Sequence, residues 1–328
     1  MIGPVLVTGA GGFIGSHLAR SVLEHGHRVV VIERDRPRLS GLDLQGLRDR
    51  ASVVSGDVAD FALVRRVLVE YGIRTVFHLA AQALVGVANR SPGSTFEANV
   101  AGTWRLLEAC RGLDLSAIVV ASSDKAYGTQ ERLPYCEDAS PLEPRYPYDV
   151  SKACADLIAR CYASTFGLPV VVTRCANVYG PGDVNLSRLI PEVAVSAARG
   201  VAPVIRSDGS PERDYLYIDD CVRAYRMLAD RAADATARGE AFNIGTGEPV
   251  TVLKLVVTAL EAAGRPDIEP VIRGTARHEI DRQYLDCAKI NARIGFVPEW
   301  SLERGLAKTV RWYTDNLRLF TPGPGEAR

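Results

Sequence analysis

The chain carries no excess of charge: 39 Lys and Arg offset 39 Asp and Glu, so the formal net charge at pH 7 is zero. It therefore has no long-range field for nucleic acid or an anionic membrane, and a charged substrate must be met by a local basic pocket. No apolar run approaches the roughly 20 residues that span a bilayer. The opening Met1-Ile-Gly-Pro-Val-Leu-Val lacks a basic leader and runs straight into a strand, which argues against a signal peptide. The seven cysteines are odd in number and include no Cys-x-x-Cys pair; Cys154 and Cys161, seven apart, suit helix packing better than metal ligation. The five histidines offer no His-x-x-x-His pattern. The expectation is a reduced, cytoplasmic, metal-free protein with neither a membrane nor a nucleic-acid partner.

What is present is a large apolar supply arranged in alternating strands and helices. With 328 residues at 47% hydrophobic, the chain can fill one large domain or two interleaved ones. Pro4–Thr8 reads as a strand, followed by Gly9-Ala-Gly-Gly12-Phe13-Ile14-Gly15 and a helix that stops at Gly26. Strand, glycine turn and helix form the context in which backbone N–H groups and a helix N-terminus approach a pyrophosphate. The second strand, His27–Ile32, ends at Glu33, an acid placed to accept ribose hydroxyls and repel a 2′-phosphate. Arg34 and Arg36 follow and could hold that phosphate, so NAD is favoured and NADP is less favoured. A third strand ends at Asp57-Val58, with Asp57 placed toward the adenine edge. A fourth, Thr75–His78, runs into the small-residue stretch Leu79-Ala80-Ala81-Gln82, which leaves room for phosphates and ribose. His78 reads as a core residue. Phe96–Gly112 reads as one helix carrying Asn99.

A fifth strand, Leu115–Ala121, ends at Ser122-Ser123-Asp124-Lys125, at the sheet edge where ligands bind in open parallel sheets. Hydroxyls there can bind a substrate hydroxyl, and Asp124-Lys125 is an adjacent acid/base pair. A helix over Pro147–Gly167 carries Tyr148 and Lys152, four apart and hence on one face. An ammonium beside a phenol favours the phenolate, which makes Tyr148 a candidate base. A sixth strand, Leu168–Arg174, completes a β-α alternation and predicts an α/β fold with a Rossmann-type doubly wound parallel sheet. Beyond Cys175 the texture changes to a smaller α/β lobe that leaves and re-enters the first. The expected partition is 1–176 plus 214–245 for the dinucleotide domain, 177–213 plus 246–320 for the second lobe, and a disordered tail at 321–328. Arg206, Arg213 and Arg282 of that lobe are candidates for a diphosphate, which Arg grips bidentately.

The glycine turn, the Tyr148/Lys152 pair and Arg213-Asp-Tyr-Leu-Tyr-Ile-Asp219 together resemble the extended short-chain dehydrogenase/reductases that act on nucleotide-sugars, over Val5 to about Trp312. Within that superfamily, Ser122-Ser-Asp-Lys-Ala-Tyr-Gly128, Tyr146–Leu157, Asp183–Pro191 and Pro203–Gly209 look like the CDP-glucose 4,6-dehydratase group. Related dTDP-glucose dehydratases usually carry Asp-Glu where this chain has Asp124-Lys125. Ala176 and Pro181 depart from positions where the CDP-glucose group often has Gly, close to the expected sugar or nucleotide contacts.

The resemblance implies that Tyr148 takes the sugar C4 hydroxyl proton while hydride leaves C4 for NAD, with Lys152 on the nicotinamide ribose and Ser123 on the C4 oxygen. Water is then eliminated across C5 and C6, and hydride returns to C6. Asp124 is the implied acid, and Lys125 takes the place of the base. A lysine serves as a base only if its pKa falls from about 10.4 toward 7, and a neighbouring Asp opposes that. The alternative for Lys125 is to stabilise the enolate. Asn177 and Arg188 are implied substrate contacts, Ser122 a cofactor contact, and the likeness further implies a homodimer through helices Phe96–Arg111 and Tyr148–Phe166. Two other readings stand beside it: a nucleotide-sugar 4-epimerase, which needs no elimination pair, and a dinucleotide-binding regulator without chemistry.

Overall fold

The structure is a computed structural model that describes residues 1, 3–275 and 280–320; the tail at 321–328 lies outside the described residues. Its centre is a seven-stranded sheet, parallel at every pairing. The strands β1 (Val5–Thr8), β2 (Val29–Glu33), β3 (Ser52–Ser55), β4 (Thr75–His78), β5 (Ala117–Ala121) and β6 (Val170–Cys175) are joined by Ala241–Ile244 in the order 241–244, β6, β5, β4, β1, β2, β3. The order reverses between β1 and β4, and that reversal opens a crevice at the carboxyl ends of the strands.

The strands are apolar on both faces because helices cover both. Val5, Val7, Val29 and Val31 feed one core cluster, while Leu6, Val30 and Ile32 feed the other, as period-two alternation requires. Helix α1 (Phe13–Glu24) starts directly after the glycine turn. The region read as a single helix at 96–112 is divided. Pro92–Phe96 and Gly102–Cys110 are α-helical, and Glu97–Ala101 between them is a π turn containing Asn99. The helix Pro147–Phe166 has Pro at its first position and Gly167 in the left-handed conformation after its last.

Asn177–Tyr179 pairs with Tyr215–Tyr217 outside the main sheet. Helix Ile218–Arg231 follows directly on Tyr215–Tyr217. A three-stranded ribbon of Val250–Thr251, Glu212–Arg213 and Arg282–Gln283 braces that lobe. Among the described residues, no helix is long and apolar enough to cross a membrane, and no group of His, Cys, Asp and Glu is arranged to hold a metal ion.

Candidate active site

A cleft of about 910 Å³ lies over the carboxyl ends of the strands. Gly9, Gly12, Phe13, Ile14, Gly15, Leu79, Ala81 and Ser122 line its dinucleotide side, and Ser123, Asp124, Lys125, Tyr148 and Lys152 line its centre. Asn177, Arg188, Arg206 and Arg213 come from the second lobe.

The glycine turn is built for close approach. Gly9 has φ +75°, and a Cβ there would lie 2.7 Å from the Ala80 nitrogen. A Cβ on Gly15 would run into the Gly9 carbonyl oxygen. The N-cap of α1 is Gly12, which offers no side-chain cap to the N–H groups of the first turn. A cradle that only glycine fits and an uncapped 12-residue helix form a seat for a dinucleotide pyrophosphate.

At the adenosine end, Glu33 lies behind Gly11 and receives Arg48 through two bonds of 3.0 and 3.1 Å. Arg34 pairs with Asp35 at 2.7 Å and lies 3.6 Å from Asp57, and Arg36 pairs with Asp43 at 3.0 Å. A 2′-phosphate would have to displace these carboxylates, so this edge fits NAD better than NADP. Asp57 accepts the Ala59 N–H at 2.9 Å. Glu33, Arg34, Asp57, Val58, Ala80, Gln82 and Asn99 are not among the residues that line the cleft. Asn99 accepts the Gln82 N–H at 2.6 Å and donates to the Gln82 carbonyl at 3.2 Å and to Ser151 at 2.8 Å. It thereby ties the loop after β4 to the Tyr148 helix.

Tyr148 and Lys152 share a helix face, but the expected acidification of the phenol by the amine is corrected. The Lys152 ammonium donates to the Ala121 carbonyl at 2.8 Å, at the end of β5. Burial pushes Tyr148 up to about 12, with the Asp124 and Asp149 carboxylates adding; the Ser123 hydroxyl and the Arg188 charge oppose. Lys152 is brought down to about 8 by burial. Shared helical spacing aligns the two side chains, while the sheet captures the amine. Beside them, Ser123 donates to Asp124 at 2.9 Å, and the Lys125 ammonium lies 3.5 Å from Asp124. Asp124 is almost wholly enclosed, whereas Lys125 stays partly open to the cleft.

The structure separates some residues that the sequence grouped. Arg282 is exposed, donates to Glu212 at 2.6 Å and is not part of the cleft wall. His78 is a buried bridge between the Thr8 and Thr103 hydroxyls at 2.8 and 3.1 Å. Sequence reasoning missed Asp149, a 7% exposed carboxylate raised to about 6 by burial, with Lys125 opposing and Asp124 adding. Its signal was an acid in the first helical turn next to Tyr148. Arg90 also lines the cleft, from the helix Val85–Arg90. That helix is too short to show a period.

The sequence model for "NAD dependent epimerase/dehydratase family" matches residues 5–245. A dTDP-glucose 4,6-dehydratase of Streptomyces griseus is 37% identical, with 97% of this chain and 96% of that protein covered. Among solved structures, UDP-glucose 4-epimerase of Thermotoga maritima with UDP-glucose superposes with a TM-score of 0.87 at 31% identity, covering 96% of this chain and 99% of that one. The dTDP-glucose 4,6-dehydratase DesIV of Streptomyces venezuelae, as a double mutant with NAD bound, gives 0.84 at 32% identity, covering 96% and 98%. With a glycine cradle, an acid at the end of β2 and a tyrosine and lysine on one helix face, the chain belongs to the NAD dependent epimerase/dehydratase family.

Proposed function

We propose that the chain is an NAD-dependent nucleotide-sugar 4,6-dehydratase that makes a 4-keto-6-deoxy sugar nucleotide, with CDP-glucose as the favoured substrate. The observation that carries this reading is the Asp124-Lys125 pair facing the same cleft as Tyr148 and Ser123. The name shared by the Streptomyces griseus relative supports the reaction class. CDP-glucose rests on the Ser122–Gly128 pattern, in which Lys125 replaces the glutamate usual in dTDP-glucose dehydratases.

NAD⁺, when bound, supplies an acceptor for the C4 hydride and returns it at C6. Tyr148 takes the C4 hydroxyl proton, and Ser123 holds the C4 oxygen. Because burial and two carboxylates keep the phenol protonated, a positive charge brought beside it is what makes it a base. Lys152, anchored to the Ala121 carbonyl, presents its remaining donors to the nicotinamide ribose. Asp124, protonated for this step, gives its proton to the departing C6 hydroxyl, which leaves as water. Lys125, drawn to Asp124 and in the field of Asp149, stabilises the enolate as an ammonium while another group takes up the C5 proton. Asn177, Arg188, Arg206 and Arg213 meet the nucleotide diphosphate.

The test is incubation with a panel of nucleotide-hexoses, CDP-glucose first, and mass spectrometry of the products. Loss of one water supports the reading. A product of unchanged mass means 4-epimerisation, the alternative favoured by the likeness to the Thermotoga maritima epimerase. A homodimer is part of the same proposal. Trp104, Leu157 and Phe166 are exposed on the two helices that the likeness assigns to an interface, and a solvated surface gains by covering such groups.

A further inference from the structure

Arg174 is 1% exposed, sits at the penultimate position of β6 and points away from the cleft that its neighbour Cys175 lines. Its guanidinium has two arms in use. Nε and Nη2 donate to both oxygens of Asp156 at 2.8 and 3.0 Å. Nη1 donates to the Tyr127 hydroxyl at 2.8 Å, and that hydroxyl donates to Asn243 at 2.7 Å. Asn243 in turn donates to the carbonyls of Tyr135 and Asp286 at 2.8 and 3.0 Å.

The chain positions of these partners carry the argument. Asp156 lies one helical step beyond Lys152 and two beyond Tyr148, on their face of the helix. Tyr127 closes the single 3₁₀ turn Asp124–Tyr127, which carries Asp124 and Lys125. A 3₁₀ turn this short has little internal hydrogen bonding to hold it. A buried ion pair is by itself weak evidence of stability, and its best-attested use is to fix register.

We propose that Arg174 is a positioning residue that sets the distance between the Tyr148/Lys152 pair and the Asp124/Lys125 pair, through Asp156 on one arm and Tyr127 on the other. This rests on the dehydratase reading, in which the two pairs act on neighbouring carbons of one sugar in succession. Burial holds the Tyr127 phenol well above its ordinary pKa, so it remains a neutral joint that accepts from Arg174 and donates to Asn243.

Tyr127→Phe removes the joint and leaves the Arg174–Asp156 pair intact. In a single turnover of the NAD-loaded enzyme, C4 oxidation stays within about twofold while water loss slows on the order of 10- to 100-fold, so reduced cofactor accumulates. Amide hydrogen exchange quickens at 124–128 and keeps its rate at 148–156. Arg174→Lys, which keeps a charge for Asp156 but loses the second arm, gives the same split. Equal slowing of both steps, or no change in either with unchanged exchange at 124–128, overturns the proposal. The wild-type product mass judges the dehydratase reading separately, and the exchange pattern judges the clamp even if that reading falls.

Discussion

The Tyr148 hydroxyl is the single atom on which the proposed chemistry turns. Replacing it with hydrogen, in Tyr148→Phe, leaves the helix and its burial in place. Turnover should fall on the order of a hundred- to ten-thousand-fold, the range for loss of a positioned acid/base group. Affinity for NAD, read by fluorescence titration, should change little. A variant with near-normal turnover would remove Tyr148 from its role. His78 makes a second, independent prediction. Burial, aided by the Lys152 charge, brings it from 6.5 down to about 3, so it is neutral in the fold. The unfolded chain takes up the proton as pH drops through about 6.5, so the folded state loses stability below that value. His78→Gln lacks this term. The stability gap between parent and variant should narrow by about 1.4 kcal/mol per pH unit from about pH 6 to about pH 4. Chemical denaturation across that range measures it, and a constant gap would contradict the burial argument.

At the scale of elements, the glycine turn and the π turn do different work. Gly15 has no room for a side chain beside the Gly9 carbonyl, and both lie under the expected pyrophosphate. Gly15→Ala should push α1 away from β1, costing on the order of 1–3 kcal/mol of stability, the range for overpacking a closely packed site. It should also weaken NAD binding. A thermal melt together with cofactor titration checks both, and unchanged values in each would show that the turn tolerates the methyl. The π turn at Glu97–Ala101 swings Asn99 onto Gln82 and Ser151, a placement that a regular helix over 96–112 does not predict. The strands were legible from short apolar runs between glycine and polar breaks. The short helices Gly41–Leu44 and Val85–Arg90 were not, because four or six residues are too few for a helical period to show.

At the scale of the molecule, Leu157 is 55% exposed on the long helix, and Trp104 is exposed on the neighbouring helix Gly102–Cys110. Leu157→Glu should split a dimer formed there, which light scattering after gel filtration would detect. A parent that is already monomeric rejects that interface. Much of this architecture could be read from local sequence. The β-α alternation, the glycine turn, the acid at Glu33 and the pairing of Tyr148 with Lys152 on one face all follow from hydrophobic period, steric permissiveness or helical spacing, which act over a few residues. Tertiary structure alone decided where the ends of long side chains settle. Lys152 turned to the Ala121 carbonyl, Arg282 left the cleft for Glu212, and Arg174, which reads in sequence as the close of a strand, became a buried link among segments 127, 156 and 243. The reason is that a buried charge or hydroxyl must find partners among whatever groups the fold brings near. Those groups stand far away in the chain, where no local pattern can specify them.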